Sequence, residues 1–140
     1  MVVAFDRTRV PFDQIRFDDW WGTPSQAPMP ARARNAALLL TLVGALGHEV
    51  PAASWERVYA AAGYGAEAAP SPGYLQALVR AARDGRLGEA VLLALVSLGR
   101  DGPAAAHPLV LGEVVSALRR VGLEEDARRI ALEAVLAREF

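Results

Sequence analysis

The chain carries few side chains that could do chemistry. Its 140 residues include no Cys, and all fifteen basic residues are Arg. Without Cys there are no disulfides, thiolate nucleophiles or Cys-based zinc sites. Without Lys there is neither a Schiff-base lysine nor a P-loop lysine. These absences remove several classes of enzyme from consideration.

The two imidazoles are the candidates for metal binding. His48 and His107 each lie beside a predicted turn and next to a carboxylate or a proline rather than a second ligand. A zinc site would require them to converge with Glu49 or with a distant carboxylate. We therefore predict no metal site, and we interpret His48 as a residue at a helix C-terminus, where the helix dipole favours an imidazole.

The remaining polar residues do not form a catalytic arrangement. Asp18 and Asp19 are adjacent, but no acid, base or metal ligand accompanies them. The serines lack the Gly-x-Ser-x-Gly context of a nucleophile elbow. We predict a protein that is not an enzyme and that uses no cofactor.

Charge and hydropathy limit the partners. The net charge is −1, and Glu124 and Glu125 each precede an arginine by four residues, an order that favours pairing along a helix. Those two arginines are Arg128 and Arg129, which together with Arg119 and Arg120 could otherwise look like a basic patch. A charge-balanced helix does not favour nucleic-acid binding.

The longest apolar run, 36–47, is shorter than the roughly 20 residues of a membrane span. No signal peptide is recognisable, and we expect a cytoplasmic protein without membrane insertion.

The elements that must position these residues are helices. Hydrophobic residues make up 53% of the chain, and Ala and Leu dominate them. Proline and glycine punctuation predicts helices over about residues 31–46, 51–63, 72–83, 87–98 and 108–121, and from 123 to the C-terminal end. Short turns join them as three antiparallel hairpins. We predict an all-α fold, with an arm and linker over 1–30 and a hairpin domain over 31–140.

The second half of the chain repeats itself. Gly85 recurs as Gly122, 37 residues later. Four further positions recur in the same register: Glu89 with Asp126, Ala90 with Ala127, Ala94 with Ala131, and Leu95 with Leu132. A period of this size is typical of stacked helical hairpins. We expect Ala90 and Ala127 to be equivalent, buried positions where two helices of a hairpin touch.

The repeat resembles the tetratricopeptide family over roughly residues 72–138. Gly85 stands at the turn within the hairpin, Ala90 follows five residues later, and Pro103 comes after the second helix. The chain differs from that family in carrying Ala94 where a large aromatic is expected, and its period exceeds the family's roughly 34 residues. The resemblance implies an array of helical hairpins that binds a peptide or a protein.

Two features suggest where a partner would bind. The helices over 36–46 and 91–98 have no ordinary polar face, so either a compact bundle surrounds them or a partner chain covers one of them. The proline-rich N-terminal arm also concentrates aromatic residues, and tryptophan is common in binding hot spots. We predict partner-binding residues at Phe12, Phe17, Trp20 and Trp21, with the alternative that the arm packs on this chain's own helices. In either case Trp20 and Trp21 should be partly buried.

These observations predict a non-catalytic scaffold or adaptor that binds a partner protein or its own copies. The alternative is a small helical regulatory domain with an internal pocket for an apolar ligand. The scarcity of polar groups in the central helices argues against a specific polar ligand but leaves a lipid-like ligand open.

Overall fold

The computed structural model describes residues 12–62 and 70–138, and all regular secondary structure in these ranges is α-helical. The predicted all-α fold is therefore confirmed. Chain contacts divide the molecule into two compact units, one up to residue 66 and one over Glu67–Glu139.

The first unit contains three helices: α1 over Gln14–Gly22, α2 over Met29–Ala45 and α3 over Ala52–Ala62. The Asp13 carboxylate caps α1 by accepting a hydrogen bond from the backbone N–H of Arg16 at 3.1 Å. Helices α2 and α3 pack as the first predicted hairpin, and α1 packs against α3.

The predicted arm differs from the structure where it is described. The sequence predicts an extended arm with one short helical turn near residues 13–20, and the structure places a helix there but makes it nine residues long, with α2 beginning at Met29. The physical reason is the Asp13 cap, which satisfies a backbone N–H at the start of α1. The part of the arm over 1–11 lies outside the described residues.

The second unit contains two hairpins and a short connecting helix. Helix α4 pairs with α5, α7 pairs with α8, and α7 also packs against both α4 and α5. Helix α6 replaces the turn predicted near Pro103 and packs against α8. The bounds are α4 Pro72–Arg83, α5 Leu87–Leu98, α6 Gly102–Ala105, α7 Pro108–Arg120 and α8 Glu124–Leu136.

The same turn closes the first helix of all three hairpins. Gly47, Gly85 and Gly122 follow these helices with φ of 87°, 70° and 89°, a left-handed conformation that glycine adopts without steric cost. After α4, the N–H of Arg86 donates to the carbonyl of Ala81 at 2.9 Å. After α7, Leu123 donates to Leu118 at 2.9 Å, and after α2, His48 donates to Val43 at 3.2 Å. These are Schellman motifs, which satisfy carbonyls at a helix end.

The 37-residue repeat corresponds to equivalent packing. Ala90 and Ala127 are both 0% exposed, which confirms the prediction made for them. Ala94 and Ala131, one turn further along, are also buried. A methyl side chain at these positions allows the two helices of each hairpin to approach closely, which is why small residues recur there.

Candidate functional site

The residues considered for catalysis have structural roles. The Nδ1 of His107 accepts a hydrogen bond from the N–H of Leu109 at 3.1 Å, so this imidazole caps the start of α7. Asp18 forms an ion pair with Arg57 at 2.6 Å, which links α1 to α3. Within residues 12–62 and 70–138, no three His, Asp or Glu side chains are placed to hold a metal ion.

Two arginines of the last hairpin are paired as predicted. Arg128 lies 3.1 Å from Glu124, and Arg129 lies 2.8 Å from Glu125, each pair spanning one turn of α8. Arg119 of α7 also approaches Glu124 at 3.7 Å. These pairs neutralise part of the positive charge of this hairpin locally.

The predicted partner-binding aromatics form a cluster in the first unit. Phe17 is buried at its centre, with ring centroids 5.7 Å from Phe12, 5.8 Å from Trp20 and 6.3 Å from Trp21. The other three are half-buried, which confirms the expectation for both tryptophans. These contacts are those of an arm that packs on its own chain, and the proposed role in partner binding stays a prediction.

Arg32 of α2 fixes this cluster in place. Its guanidinium carbon lies 5.3 Å from the ring centroid of Trp20 and 5.6 Å from that of Trp21. The same guanidinium donates hydrogen bonds to the carbonyl of Thr23 at 2.7 Å and to the carbonyl of Trp20. The charge therefore lies at the C-terminal end of α1, where the helix dipole favours a cation.

An apolar surface on α5 is the strongest candidate for partner binding. Leu92, Leu95 and Val96 are 66%, 60% and 55% exposed, although each is a large aliphatic residue in the middle of a regular helix. Leu95 and Val96 lie three and four positions after Leu92, so the three residues share one side of the helix. We call these three residues the α5 surface. Burying such a side chain fully contributes about 1.5–3 kcal/mol, so a partner that covered these residues would gain free energy that folding leaves unused.

The opposite side of α5 packs inside the second unit. Ala90 and Ala94 are buried there, where α5 contacts α4 and α7. Ser97 is half-buried, and its hydroxyl has no hydrogen-bond partner among the described residues. The single polar residue of the 91–98 segment therefore does not reach the α5 surface.

The sequence indicated that a helix without a polar face could bind a partner, but it did not show which of two helices this is. Both 36–46 and 91–98 lack a polar face, but the leucines of α2 are buried whereas the α5 surface is open. Sequence periodicity could not distinguish the two helices, since their difference lies in how many neighbours each has. The site was predicted at the arm because the arm is rich in aromatic residues, but the structure packs these residues against α2.

The second unit also has a cleft between α4 and α7, but its dimensions do not suit an apolar ligand. Its empty volume is ≈ 230 Å³ with open solvent included, whereas pockets for drug-sized molecules occupy roughly 300–1,000 Å³. Charged Glu113 and Arg120 stand at its lining. This cleft does not support the alternative of an apolar-ligand domain.

Comparison with known protein families, with curated proteins and with solved structures finds no match for this chain. Among the helices that the structure describes, none combines the length and apolarity needed to cross a membrane.

Proposed function

We propose that this protein is a non-catalytic interaction module, a scaffold or adaptor, and that the α5 surface is where it binds another protein chain. The observation that carries the proposal is the exposure of Leu92, Leu95 and Val96 along one side of a regular helix. Contiguous apolar surface of this kind marks interaction sites, whereas isolated exposed apolar residues are ordinary.

The architecture of the second unit supports this function. Two hairpins that share the same turn at the end of their first helix pack against each other through α7. In such arrays, the helices not enclosed by neighbouring hairpins present a surface to a ligand chain. We assign α5 to that role in this protein, and we propose the cytoplasm as its location because the chain has no Cys.

The binding mode we propose is helix packing. An exposed stripe with residues at i, i+3 and i+4 is the pattern by which one helix docks against another apolar helix or groove. The α5 surface carries no charged side chain, so affinity would come from apolar burial and from shape. Burial of three half-exposed aliphatic side chains fits a moderate, reversible interaction.

The test is the mass of the complex isolated from the native source at low salt, for the natural chain and for Leu92→Glu. A mass above the 14.9 kDa of one chain that falls on substitution supports the proposal. Leu136→Glu is the matched control, because Leu136 is an exposed leucine on a different helix, α8. A mass of one chain for the natural protein, or an identical excess mass in Leu92→Glu, would reject an interaction through the α5 surface.

A further inference from the structure

The cleft between α4 and α7 contains polar side chains that no other part of the described chain engages. Its lining residues are Val79, Ala82, Glu113, Ser116, Ala117 and Arg120. Glu113 and Ser116 are half-buried, and Arg120 is exposed. Within residues 12–62 and 70–138, no group forms a hydrogen bond or an ion pair with the carboxylate, hydroxyl or guanidinium of these three residues. The cleft therefore presents a carboxylate, a hydroxyl and a cation that can all bind a ligand.

The unpaired carboxylate distinguishes this cleft from the charged surface of α8. Glu124 and Glu125 are exposed, yet each forms an ion pair with an arginine one turn later. Glu113 is more enclosed than either, and it forms no ion pair among the described residues. Partial removal of a carboxylate from water costs free energy that a hydrogen-bonded or charged neighbour returns. A ligand with a cationic group would supply that neighbour.

The 37-residue repeat shows that hairpin packing does not require these groups. In the first hairpin of the second unit, Gln76 and Val79 occupy the positions equivalent to Glu113 and Ser116. Of the three polar residues, only the arginine recurs, as Arg83. The alanines that pack the two hairpins, in contrast, are identical in both repeats. The carboxylate and the hydroxyl are therefore particular to α7, where the cleft lies.

The spacing on α7 sets the length of a ligand that contacts both charges. Glu113 and Arg120 are seven positions apart, close to two turns, so they lie on one side of the helix about 10.5 Å apart along its axis. Ser116 lies between them. Two charge-assisted hydrogen bonds of about 2.8 Å each leave about 5 Å between the charged groups of a bridging molecule. An α-amino acid, whose two charged groups share one carbon, is shorter than this.

We propose that this cleft binds a small zwitterion of the ω-amino acid class, such as γ-aminobutyrate, with an ammonium and a carboxylate about 5 Å apart. The ammonium donates to the Glu113 carboxylate, and the ligand carboxylate accepts from Arg120 and from the hydroxyl of Ser116. The methylene groups between the two charges contact Val79 and Ala82 of α4.

The dimensions of the cleft favour a small molecule over a polypeptide. Its empty volume is ≈ 230 Å³ with open solvent included. This is the liquid volume of about seven water molecules at roughly 30 Å³ each, and γ-aminobutyrate has a similar number of non-hydrogen atoms. A partner helix, about 10 Å across, could place only single side chains in it. No residue of the α5 surface lines the cleft, so this inference goes beyond the proposed function and does not depend on it.

The bound ligand would contact both helices and so stabilise their packing. With few ligand atoms and an open cleft, we expect a dissociation constant on the order of 1 mM. A ligand that binds only the folded state stabilises it by mass action. At about 10 mM γ-aminobutyrate, we therefore expect the melting temperature to rise by about 5 °C.

The experiment is a titration of the purified chain with γ-aminobutyrate, followed through the backbone amide signals in NMR spectra. Signals from the cleft, such as those of Ala82 and Ala117, should shift with the dissociation constant given above. Butyrate and butylammonium each lack one of the two charges and should bind about tenfold more weakly, because each leaves one charged group of the cleft unpaired. Glycine should also bind more weakly, since its charged groups are too close together to reach both Glu113 and Arg120.

Matched substitutions locate the site. Glu113→Gln and Arg120→Gln should each weaken the binding of γ-aminobutyrate about tenfold, because each removes one charge-assisted hydrogen bond. Glu133→Gln and Arg100→Gln are the controls, since both residues are exposed, form no ion pair among the described residues and lie outside the cleft. Helical circular dichroism checks that each variant folds, and the titrations of the natural chain with the single-charge analogues decide the matter if one does not.

Several results would overturn the proposal. The absence of any shift at about 20 mM γ-aminobutyrate, equal binding of butyrate or glycine, or binding that both cleft variants leave unchanged each excludes a zwitterion that bridges these residues. If the chain does not bind γ-aminobutyrate but Glu113→Gln disrupts a complex from the native source, the cleft docks a polypeptide instead. The α5 surface is tested separately by Leu92→Glu, so failure of either proposal leaves the other standing.

Discussion

Replacement of Arg32 should detach α1 from the rest of the first unit. Arg32 is 9% exposed, and its charge is held by two backbone carbonyls and two indole rings. Each charge-assisted hydrogen bond contributes about 1.5–3 kcal/mol, and each cation–π contact adds about 0.5–2 kcal/mol. The carbonyl of Trp20 also accepts from the N–H of Thr23, so it keeps one hydrogen bond when the Arg32 side chain is removed. We therefore expect Arg32→Ala to lower the free energy of unfolding of the first unit by about 2–4 kcal/mol.

Comparison with Lys separates charge from geometry. Arg32→Lys keeps the positive charge but cannot donate to both carbonyls while stacking on the indoles, since an ammonium lacks the planar fork. We expect Arg32→Lys to lower the free energy of unfolding by about half as much as Arg32→Ala does. The control is Arg16→Ala in the same unit, because the Arg16 side chain is 82% exposed and its ion pair with Asp13 contributes little.

The assay is denaturant unfolding followed by tryptophan fluorescence. A Trp55→Phe background leaves Trp20 and Trp21 as the only reporters. Arg32→Ala should shift their emission to longer wavelength at lower denaturant than the parent, because detachment of α1 exposes both indoles. Arg32→Ala that unfolds within about 0.5 kcal/mol of Arg16→Ala would refute the reasoning.

Two further predictions concern the hairpins of the second unit. Gly85→Ala should destabilise by about 1–2 kcal/mol in thermal unfolding, because φ of 70° is strained for any residue with a Cβ. Gly73→Ala, at an ordinary φ with open space around it, should be neutral or stabilise by up to about 1 kcal/mol, and the same sign for both would contradict the argument. Ala127→Leu should destabilise by roughly 1–3 kcal/mol through overpacking. Ala137→Leu, at an exposed position, should not, and equal melting temperatures for the two would show that the helices around Ala127 are loosely packed.

The local pattern of the sequence was sufficient for the helices of the three hairpins and the turns within them. Prolines and glycines bound each segment, and the structure places α5 at the predicted residues 87–98 and α4 at 72–83. Gly85 and Gly122 mark the turns because only glycine adopts the required φ without strain. The repeat also identified Ala90 and Ala127 as equivalent, since both positions have the same local constraint.

Burial depended on tertiary contacts that the pattern does not contain. Two helices of similar apolarity differ in burial: Leu39 of α2 is buried, whereas Leu92 of α5 is exposed. Arg32, which the sequence did not single out, became the residue that fixes the aromatic cluster, because the end of α1 lies against it. Composition and periodicity by themselves determined an all-α chain of hairpins. Only the packing decided which apolar helix is enclosed and which is open to a partner, because exposure depends on neighbours distant in sequence rather than on the residues of the helix itself.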